Sequence, residues 1–253
     1  MNTPCVSLEM AEDFRRDGYL LLSNAFNKEE VAALLQEVEQ GDRVATSSYD
    51  TQDAEGRKAQ IAIWHELGSD IWSRVSTDPR IVNNVRLLMG EDVAFFHGKV
   101  ILKLARGGGS WEWHQDYGYW YNQGFLYPRM ISAFVSLDPS VKENGCLQVL
   151  KGSHHLGRLE HGTVGTQTGA DAGRIGIIEG MLERVPVEME PGSVLFFDSN
   201  LLHTSGPNDS DMHRRSFIIC YNAMANPQIG ENGQMVERKS CPVSEFSDIL
   251  ETV

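Results

Sequence analysis

The chain has 253 residues, 41% of them apolar and 23% charged, which predicts one folded domain with a sizeable core and argues against bulk disorder. Its net charge of −13 argues against nucleic acid or an anionic membrane surface as a main partner, because both require a basic face. The N-terminus shows no apolar run of a signal peptide, and no apolar stretch approaches the roughly 20 residues that span a bilayer. Four dispersed cysteines without a CxxC pair predict reduced thiols in a cytoplasmic protein.

The first part of the chain, residues 1–92, is predicted to be mostly helical. A short helix over 8–17 and a short strand over 19–22 come first. Asn27 and Glu30 have the spacing of a capping box ahead of a periodic apolar run, which predicts a helix from there.

A further helix is predicted from the pair Asp78-Pro79, since Asp caps a helix and Pro is favoured at its first position. Apolar residues recur at helical spacing until Gly90, which predicts the end of this helix. We expect these helices to pack on one face of a sheet formed by the rest of the chain.

Residues 93–222 are rich in short alternating or apolar runs, separated by clusters of Gly, Pro, Asn and Asp. The predicted strands are 93–104, 110–116, 129–137, 146–150, 185–189, 193–198 and 215–222. Many short strands favour an antiparallel sandwich or jelly roll, and hence an α+β fold in a single domain over 1–253. The weakly patterned stretch 151–184 is predicted to form lid or binding loops, and 223–253 is predicted to be a C-terminal tail.

His114 and Asp116 are two positions apart in a predicted strand, so both side chains are expected on one face. They supply two ligands of a facial triad of two histidines and one carboxylate, a set that leaves positions open on the metal. His203 is the best candidate for the third ligand, because it follows a predicted strand and a short apolar step. The alternative is structural: His and Asp two apart occur by chance in many chains, and a single histidine on an apolar segment is more often buried and hydrogen-bonded.

The triad residues fall within a series of blocks along the chain. These blocks are 17–21, 113–116, 143–147, 151–154, 190–197, 203–208 and 214–215. In order and spacing they resemble the phytanoyl-CoA dioxygenase family. The resemblance implies a double-stranded β-helix, or jelly roll, and a dioxygenase that uses Fe(II), 2-oxoglutarate and O₂ and releases succinate and CO₂. It also implies that His114, Asp116 and His203 bind the metal.

The same resemblance implies the contacts of 2-oxoglutarate. Arg214, eleven positions after His203, matches the arginine that binds the distal carboxylate, and a guanidinium suits this task because it binds a carboxylate bidentately. Arg215 would face the other way on a strand, and one of the two arginines is expected to be a solvated strand-end charge. Ser205 matches a hydroxyl that also contacts 2-oxoglutarate. Phe134 stands where many members have Trp; its phenyl ring still provides a wall for the cosubstrate but has no indole N–H.

Substrate contacts are predicted from aromatic and polar residues near the triad. Eight aromatic residues lie between 111 and 127, and three of them follow the HxD motif closely: Tyr117, Tyr119 and Trp120. Sheet packing is the alternative for each of these rings. Lys99 and Lys103 share one face of a predicted strand and are candidates for binding 2-oxoglutarate and substrate respectively; the alternative is exposure on an edge strand. Gln148 is predicted to face the same pocket.

The combined prediction is an Fe(II)/2-oxoglutarate dioxygenase that hydroxylates, or otherwise oxidises, a C–H bond of a small metabolite or natural-product intermediate. Asp116 favours hydroxylation over halogenation, because related halogenases have a small residue at this position. We expect a monomer or homodimer in the cytoplasm, without nucleic-acid or membrane partners. Two alternatives stay open: a metal enzyme on the same fold that does not use 2-oxoglutarate, and a non-catalytic binding module.

Overall fold

The computed structural model describes residues 5–245 and 249–250, so 246–248 and 251–253 of the predicted tail lie outside the described part. Helices α1 to α7 span Leu8–Asp17, Lys28–Gln40, Asp42–Ser47, Ile71–Thr77, Pro79–Met89, Asp116–Asn122 and Ala172–Glu179. Strands β1 to β13 span Tyr19–Leu22, Ser48–Gln52, Lys58–Trp64, Val93–Lys103, Trp111–His114, Met130–Ser136, Leu147–Leu150, His161–Val164, Gln167–Ala170, Arg184–Val187, Val194–Asp198, His203–Ser205 and Arg214–Ala223. Every helix in the described part is too short or too polar to cross a bilayer.

Two antiparallel sheets form the predicted jelly roll. The larger sheet has the order β1-β11-β6-β13-β4-β3-β2, and the smaller has the order β10-β7-β12-β5. The hairpin β8-β9 makes a separate two-stranded sheet. Neighbours in each sheet come from distant parts of the chain, so the architecture depends on non-local pairing.

Strand β6 shows how the layers are built. Ile131, Ala133 and Val135 face an apolar core that the N-terminal helices complete on the outer side of the larger sheet. Met130 and Phe134, at the alternate positions, face a second core between the two sheets. Every residue of β6 is buried, because both faces of this strand are covered.

The N-terminal helices begin and end where their capping residues predict. Asn27 Oδ1 accepts a hydrogen bond from the Glu30 backbone N–H at 2.9 Å, and the Glu30 carboxylate accepts one from the Asn27 backbone N–H at 2.8 Å. Asp78 caps α5, and Gly90 ends that helix in the left-handed region with φ of 69°. The prediction that helices cover one sheet is confirmed.

Three segments differ from the sequence expectation. Strands β2 and β3 lie inside the segment predicted to be mostly helical, and β3 joins the larger sheet by pairing with β4. The segment 151–184 contains the hairpin β8-β9 and helix α7 in addition to loops. The strand predicted over 110–116 stops at His114, and Asp116 is already the first residue of α6. Contacts with distant parts of the chain stabilise these elements, so their local sequence patterns are weak and did not predict them.

Candidate active site

Three side chains that can bind a metal converge in the space between the sheets. His114 ends β5, Asp116 begins α6, and His203 begins β12, which pairs with β5 and places His203 opposite His114. The potential ligand atoms all lie within 4.8 Å of one another, and all three residues are buried. The turn from strand into helix, rather than a shared strand face, brings the Asp116 carboxylate to 3.9 Å from His114 Nε2.

Hydrogen bonds orient each of these side chains. Nδ1 of His114 and Nδ1 of His203 each donate to the backbone carbonyl two residues earlier, at 2.7 and 2.9 Å, so Nε2 is the atom left to bind a metal. Ser132 Oγ donates to Asp116 Oδ2 at 2.8 Å. Burial lowers the pKa of both histidines, so both are neutral near pH 7, which is the protonation state that binds metals.

Lys99 lies beside the carboxylate of the triad, with its Nζ 3.6 Å from Asp116 Oδ1. Burial opposes ionisation of Asp116, but the charge of Lys99 and the hydrogen bond from Ser132 oppose this effect and hold the pKa of this carboxyl well below its usual range. Two neutral imidazoles and one ionised carboxylate form the donor set typical of non-haem iron oxygenases. The residues present therefore fit an Fe(II) ion.

Two buried cations lie close to His203. Arg214 lines the cavity at 2% exposure, and its Nε and Nη1 have no hydrogen-bond partner within the described part of the chain. Lys103, paired with Arg214 across β4 and β13, is fully buried and donates from Nζ to Ser205 Oγ at 2.8 Å and to the Gly206 carbonyl. Burial lowers the pKa of Arg214 to about 10, so the guanidinium is charged near pH 7.

No carboxylate of residues 5–245 or 249–250 forms an ion pair with Arg214 or Lys103, although each is almost completely buried. Burial, and then the charge of Arg214, lower the pKa of Lys103 well below its usual value. An anion between these groups would relieve both the desolvation of the charges and their mutual repulsion. This part of the cavity is therefore built to bind a carboxylate or a similar anion.

Arg215 faces the opposite side of the larger sheet, as strand alternation predicts. Its guanidinium binds the Asp138 carboxylate at 2.7 and 2.9 Å and Glu39 at 2.8 Å. It is thus a paired structural charge rather than a solvated one. The expectation that one of the two neighbouring arginines would be solvated is wrong, because Arg214 is buried in the cavity.

The cavity itself has a volume of about 290 Å³, and several of the predicted residues line it. Tyr119 sets its ring edge-on to His114 at 5.5 Å and donates from its hydroxyl to the Thr168 carbonyl at 2.7 Å. Trp120 and Phe134 also line the cavity. The aromatic wall next to the triad is therefore present, on α6 and on β6.

Two predicted substrate contacts lie outside the cavity. Tyr117 packs in the apolar core between the sheets, where its hydroxyl donates to the Phe125 carbonyl at 3.3 Å. Gln148 is on the outer side of the smaller sheet and accepts a hydrogen bond from Arg184 at 2.7 Å. Its neighbours in β7 point inward instead, so the predicted phase of this short strand is wrong by one residue.

Lys99 and Lys103 are not exposed on an edge strand, because β4 lies between β13 and β3 in the interior of the larger sheet. Lys99 lines the cavity beside Asp116, as a residue near the metal and cosubstrate should. Lys103 faces inward but ends on Ser205 and does not line the cavity, so a direct contact with the substrate is not supported.

Sequence reasoning missed several residues that line the cavity or support it. Ser132 is two positions before Phe134 in β6, and His97 is two positions before Lys99 in β4, so strand alternation was the available signal for both. Residues of β2, of β9 and of the turn before β9 also line the cavity: Tyr49, Thr51, Thr166, Gln167 and Thr168. No local pattern indicated these elements.

Comparison with known proteins agrees with this geometry. The family model described as phytanoyl-CoA dioxygenase (PhyH) matches residues 14–216. The chain belongs to this family. An ectoine dioxygenase from Bordetella bronchiseptica is 31% identical over 90% of this chain and 80% of its own length. An L-proline trans-4-hydroxylase from Streptomyces griseoviridis is 24% identical over 89% of this chain and 90% of its own.

The solved structure of EctD from S. alaskensis with 2-oxoglutarate and 5-hydroxyectoine superimposes with a TM-score of 0.78. That match covers 96% of this chain and 89% of EctD at 23% identity, so it establishes the shared jelly-roll fold. With the family, the relatives and the histidine–aspartate–histidine cluster together, the chain is an Fe(II)/2-oxoglutarate-dependent dioxygenase that hydroxylates a small molecule and uses Fe(II), 2-oxoglutarate and O₂.

Proposed function

We propose that His114, Asp116 and His203 hold the Fe(II) ion. Their convergence, their burial and the neutral state of both imidazoles support this assignment. Bound iron and 2-oxoglutarate supply the oxidising power that inserts an oxygen atom from O₂ into a C–H bond, with release of succinate and CO₂. Ser132 holds the Asp116 carboxylate in place, and Lys99 stabilises its ionised form.

We further propose that Arg214 and Ser205 bind the distal carboxylate of 2-oxoglutarate. The observation that carries this assignment is the buried pair of cations, Arg214 and Lys103, without a carboxylate partner in the described part of the chain. Lys103 donates to Ser205 Oγ, so the hydroxyl hydrogen of Ser205 is free to donate to the cosubstrate. Lys99 lies beside Asp116 and is assigned to the end of 2-oxoglutarate nearest the metal, and Phe134 forms a wall.

The substrate that this site supports best is a compact metabolite. A cavity of about 290 Å³ is at the small end of the roughly 300–1,000 Å³ range of ligand pockets, and it must also hold 2-oxoglutarate. The named substrates of the relatives, ectoine and L-proline, are of this size. Tyr119 and Trp120 provide an aromatic surface for such a molecule beside the triad.

An anaerobic titration tests the metal and cosubstrate assignment. Fe(II) and 2-oxoglutarate together should give a weak visible charge-transfer band with the native protein, and Asp116→Ala should remove it. A native protein that binds Fe(II) but gives no band with 2-oxoglutarate would favour a metal enzyme that does not use 2-oxoglutarate. Retention of the band in Asp116→Ala would refute the ligand assignment.

We propose that the enzyme acts as a monomer or homodimer in the cytoplasm, without a nucleic-acid partner. The net charge of −13 supports the last point, since a nucleic-acid surface requires clustered positive charge. Sedimentation analysis of the purified chain gives the oligomeric state directly.

A further inference from the structure

Strand β4 has a β-bulge at Phe96. His97 and Phe95 pair with consecutive residues of β13, so Phe96 between them has no partner. His97 and Lys99 line the cavity, Phe96 belongs to the core between the sheets, and Phe95 packs against the core on the opposite face. Bulges redirect side chains near active sites, and this one makes His97 the first residue of β4, in chain order, that lines the cavity.

His97 is a buried polar side chain without a hydrogen-bond partner. It is 4% exposed, and neither Nδ1 nor Nε2 has a partner within the described part of the chain. Phe96 and Trp120 pack against the imidazole, at ring distances of 4.6 and 5.9 Å. Burial, and then the charge of Lys99, lower the pKa of His97 well below its usual value, so the ring is neutral with one N–H donor and one acceptor. Buried polar groups are almost always hydrogen-bonded, so an open donor facing a cavity indicates a ligand contact.

The electrostatic surroundings of His97 favour an anionic ligand. The Arg238 guanidinium lies 5.0 Å from the ring of Phe96, the same ring that packs on His97, and 5.2 Å from the ring of Phe125. No ion pair links Arg238 to an acid in the described part of the chain, so its charge is not neutralised locally. Within the described part of the chain, Asp116 is the one acidic residue that lines the cavity, and it is assigned to the metal. A cationic group of a substrate would therefore find only the metal-assigned Asp116 as a counter-charge near His97, whereas a carboxylate would find the charges of Lys99 and Arg238.

We infer that His97 binds a carboxylate of the substrate through its imidazole N–H, and that the enzyme therefore acts on a compact carboxylic acid. This inference rests on the proposed function and specifies the substrate class for the same cavity. This contact is separate from the one proposed for the distal carboxylate of 2-oxoglutarate, because Arg214 pairs with Lys103, and His97 is six positions along β4 from Lys103, roughly 20 Å at 3.3 Å per residue. Arg214 and Ser205 therefore select 2-oxoglutarate, and His97 selects the substrate.

A panel of matched compounds tests the substrate class. The panel contains L-proline, pipecolic acid, ectoine and other compact amino and hydroxy acids, each with its primary carboxamide. Succinate release by the native holoenzyme is measured with each compound in the presence of Fe(II), 2-oxoglutarate and O₂. We expect stimulation by one or more acids and at least about 10-fold weaker stimulation by the matching amide, as for loss of a hydrogen bond to a charged group. Stimulation by amides alone, or by none of the acids, overturns the inference.

Variants of His97 test the residue. His97→Phe keeps an aromatic ring but removes both nitrogens, and we expect it to raise the KM for the active acid by about 10- to 100-fold with a smaller change in kcat. His97→Gln keeps an N–H donor and should recover a large part of the affinity. His65→Phe is the matched control, because its ring lies 5.6 Å from that of His97 but does not line the cavity. An unchanged KM in His97→Phe overturns the assignment.

The Fe(II)/2-oxoglutarate charge-transfer band separates failure of this inference from failure of the proposed function. The band should be the same in native protein, His97→Phe and His97→Gln. If the native protein lacks the band, the proposed function is wrong. If the band is intact and acids are not preferred, the role of His97 is wrong.

Discussion

Two buried arginines on opposite faces of the larger sheet show two ways in which this protein handles internal charge. Arg80, in the helical layer, is 8% exposed, and all three of its guanidinium nitrogens donate hydrogen bonds, to Asp78, to Glu30 and to a backbone carbonyl. Arg214, on the cavity side, is 2% exposed and leaves Nε and Nη1 without partners in the described part of the chain.

The difference separates a structural charge from one that awaits a ligand. The guanidinium of Arg80 is neutralised by acids of the protein itself, so the cost of its desolvation is offset without any bound ligand. The guanidinium of Arg214 has no such compensation, and its neighbour Lys103 has hydrogen bonds to Ser205 and Gly206 but no carboxylate partner in the described part of the chain. Burial of unpaired polar groups is costly. Their concentration around one cavity therefore indicates that this cavity is the functional site.

The largest expected effect is on the triad. Asp116→Ala removes one of three proposed metal ligands, and activity should fall by more than about 100-fold, since even loss of a residue that only supports a ligand costs 10- to 100-fold. Iron content and succinate release are the measurements. The variant should also lose stability, because the buried Lys99 then has no carboxylate partner, so both measurements are made on protein shown to be folded. Full activity in this variant would exclude the triad.

Arg80, the structural charge, is predicted to contribute to stability. Arg80→Met leaves the carboxylates of Glu30 and Asp78 buried without their cation and should cost about 3–5 kcal/mol of unfolding free energy. Chemical unfolding of the native and variant proteins measures this difference. The KM values of the folded variant should equal those of the native enzyme, because α5 lies on the face of the sheet away from the cavity. A change in the KM for 2-oxoglutarate without a loss of stability would contradict the structural role assigned to Arg80.

Arg214 is predicted to show the opposite pattern, with an effect on 2-oxoglutarate binding and no loss of stability. Arg214→Met should raise the KM for 2-oxoglutarate by about 30-fold or more, because truncation of one partner of a buried charge pair costs at least 2 kcal/mol. Its stability without 2-oxoglutarate should be equal to or higher than that of the native protein, because a buried unpaired charge is removed. Arg215→Met is the matched control and should leave this KM unchanged, since Arg215 binds Asp138 and Glu39 on the other face.

Lys103 should have a smaller effect that depends on Ser205. Lys103→Met removes the donor that holds the Ser205 hydroxyl, and we expect the KM for 2-oxoglutarate to rise by up to about 10-fold. The double variant with Ser205→Ala should be less impaired than the sum of the single effects, as for residues in one hydrogen-bond network. Strict additivity in this cycle would indicate that Lys103 acts independently of Ser205.

The last prediction concerns a half-buried acid outside the cavity. Burial raises the pKa of Asp198 to about 7, partly offset by the hydrogen bond from the Asn200 backbone N–H at 2.7 Å. The folded state therefore binds a proton that the unfolded state releases near pH 4, so stability contributed by this group falls as pH rises from about 4 to 7. Asp198→Asn should remove that dependence. The stability of the variant minus that of the native protein should therefore be larger at pH 8 than at pH 4.5. Urea unfolding at the two pH values tests this.

The sequence by itself determined the residues with specific chemistry. The spacing of His114 and Asp116 predicted two metal ligands, His203 was the best candidate for the third, and the family resemblance implied Arg214, because residue types and their order along the chain do not depend on packing. The helix limits at Asn27 and Gly90 were readable for the same reason: caps are local hydrogen bonds and local backbone conformations. The jelly-roll class followed from many short strands and from the family resemblance.

Only the tertiary structure decided which side chains share the cavity. Alternation gives the two faces of a strand but not which face meets the site, so Gln148 was placed inward and His97 was overlooked. The bulge at Phe96 depends on pairing between β4 and β13, which are more than a hundred residues apart in the chain, and no local pattern encodes it. The contrast between a paired Arg80 and an unpaired Arg214 likewise exists only after distant residues have been brought together, because burial and partnership are properties of the folded chain.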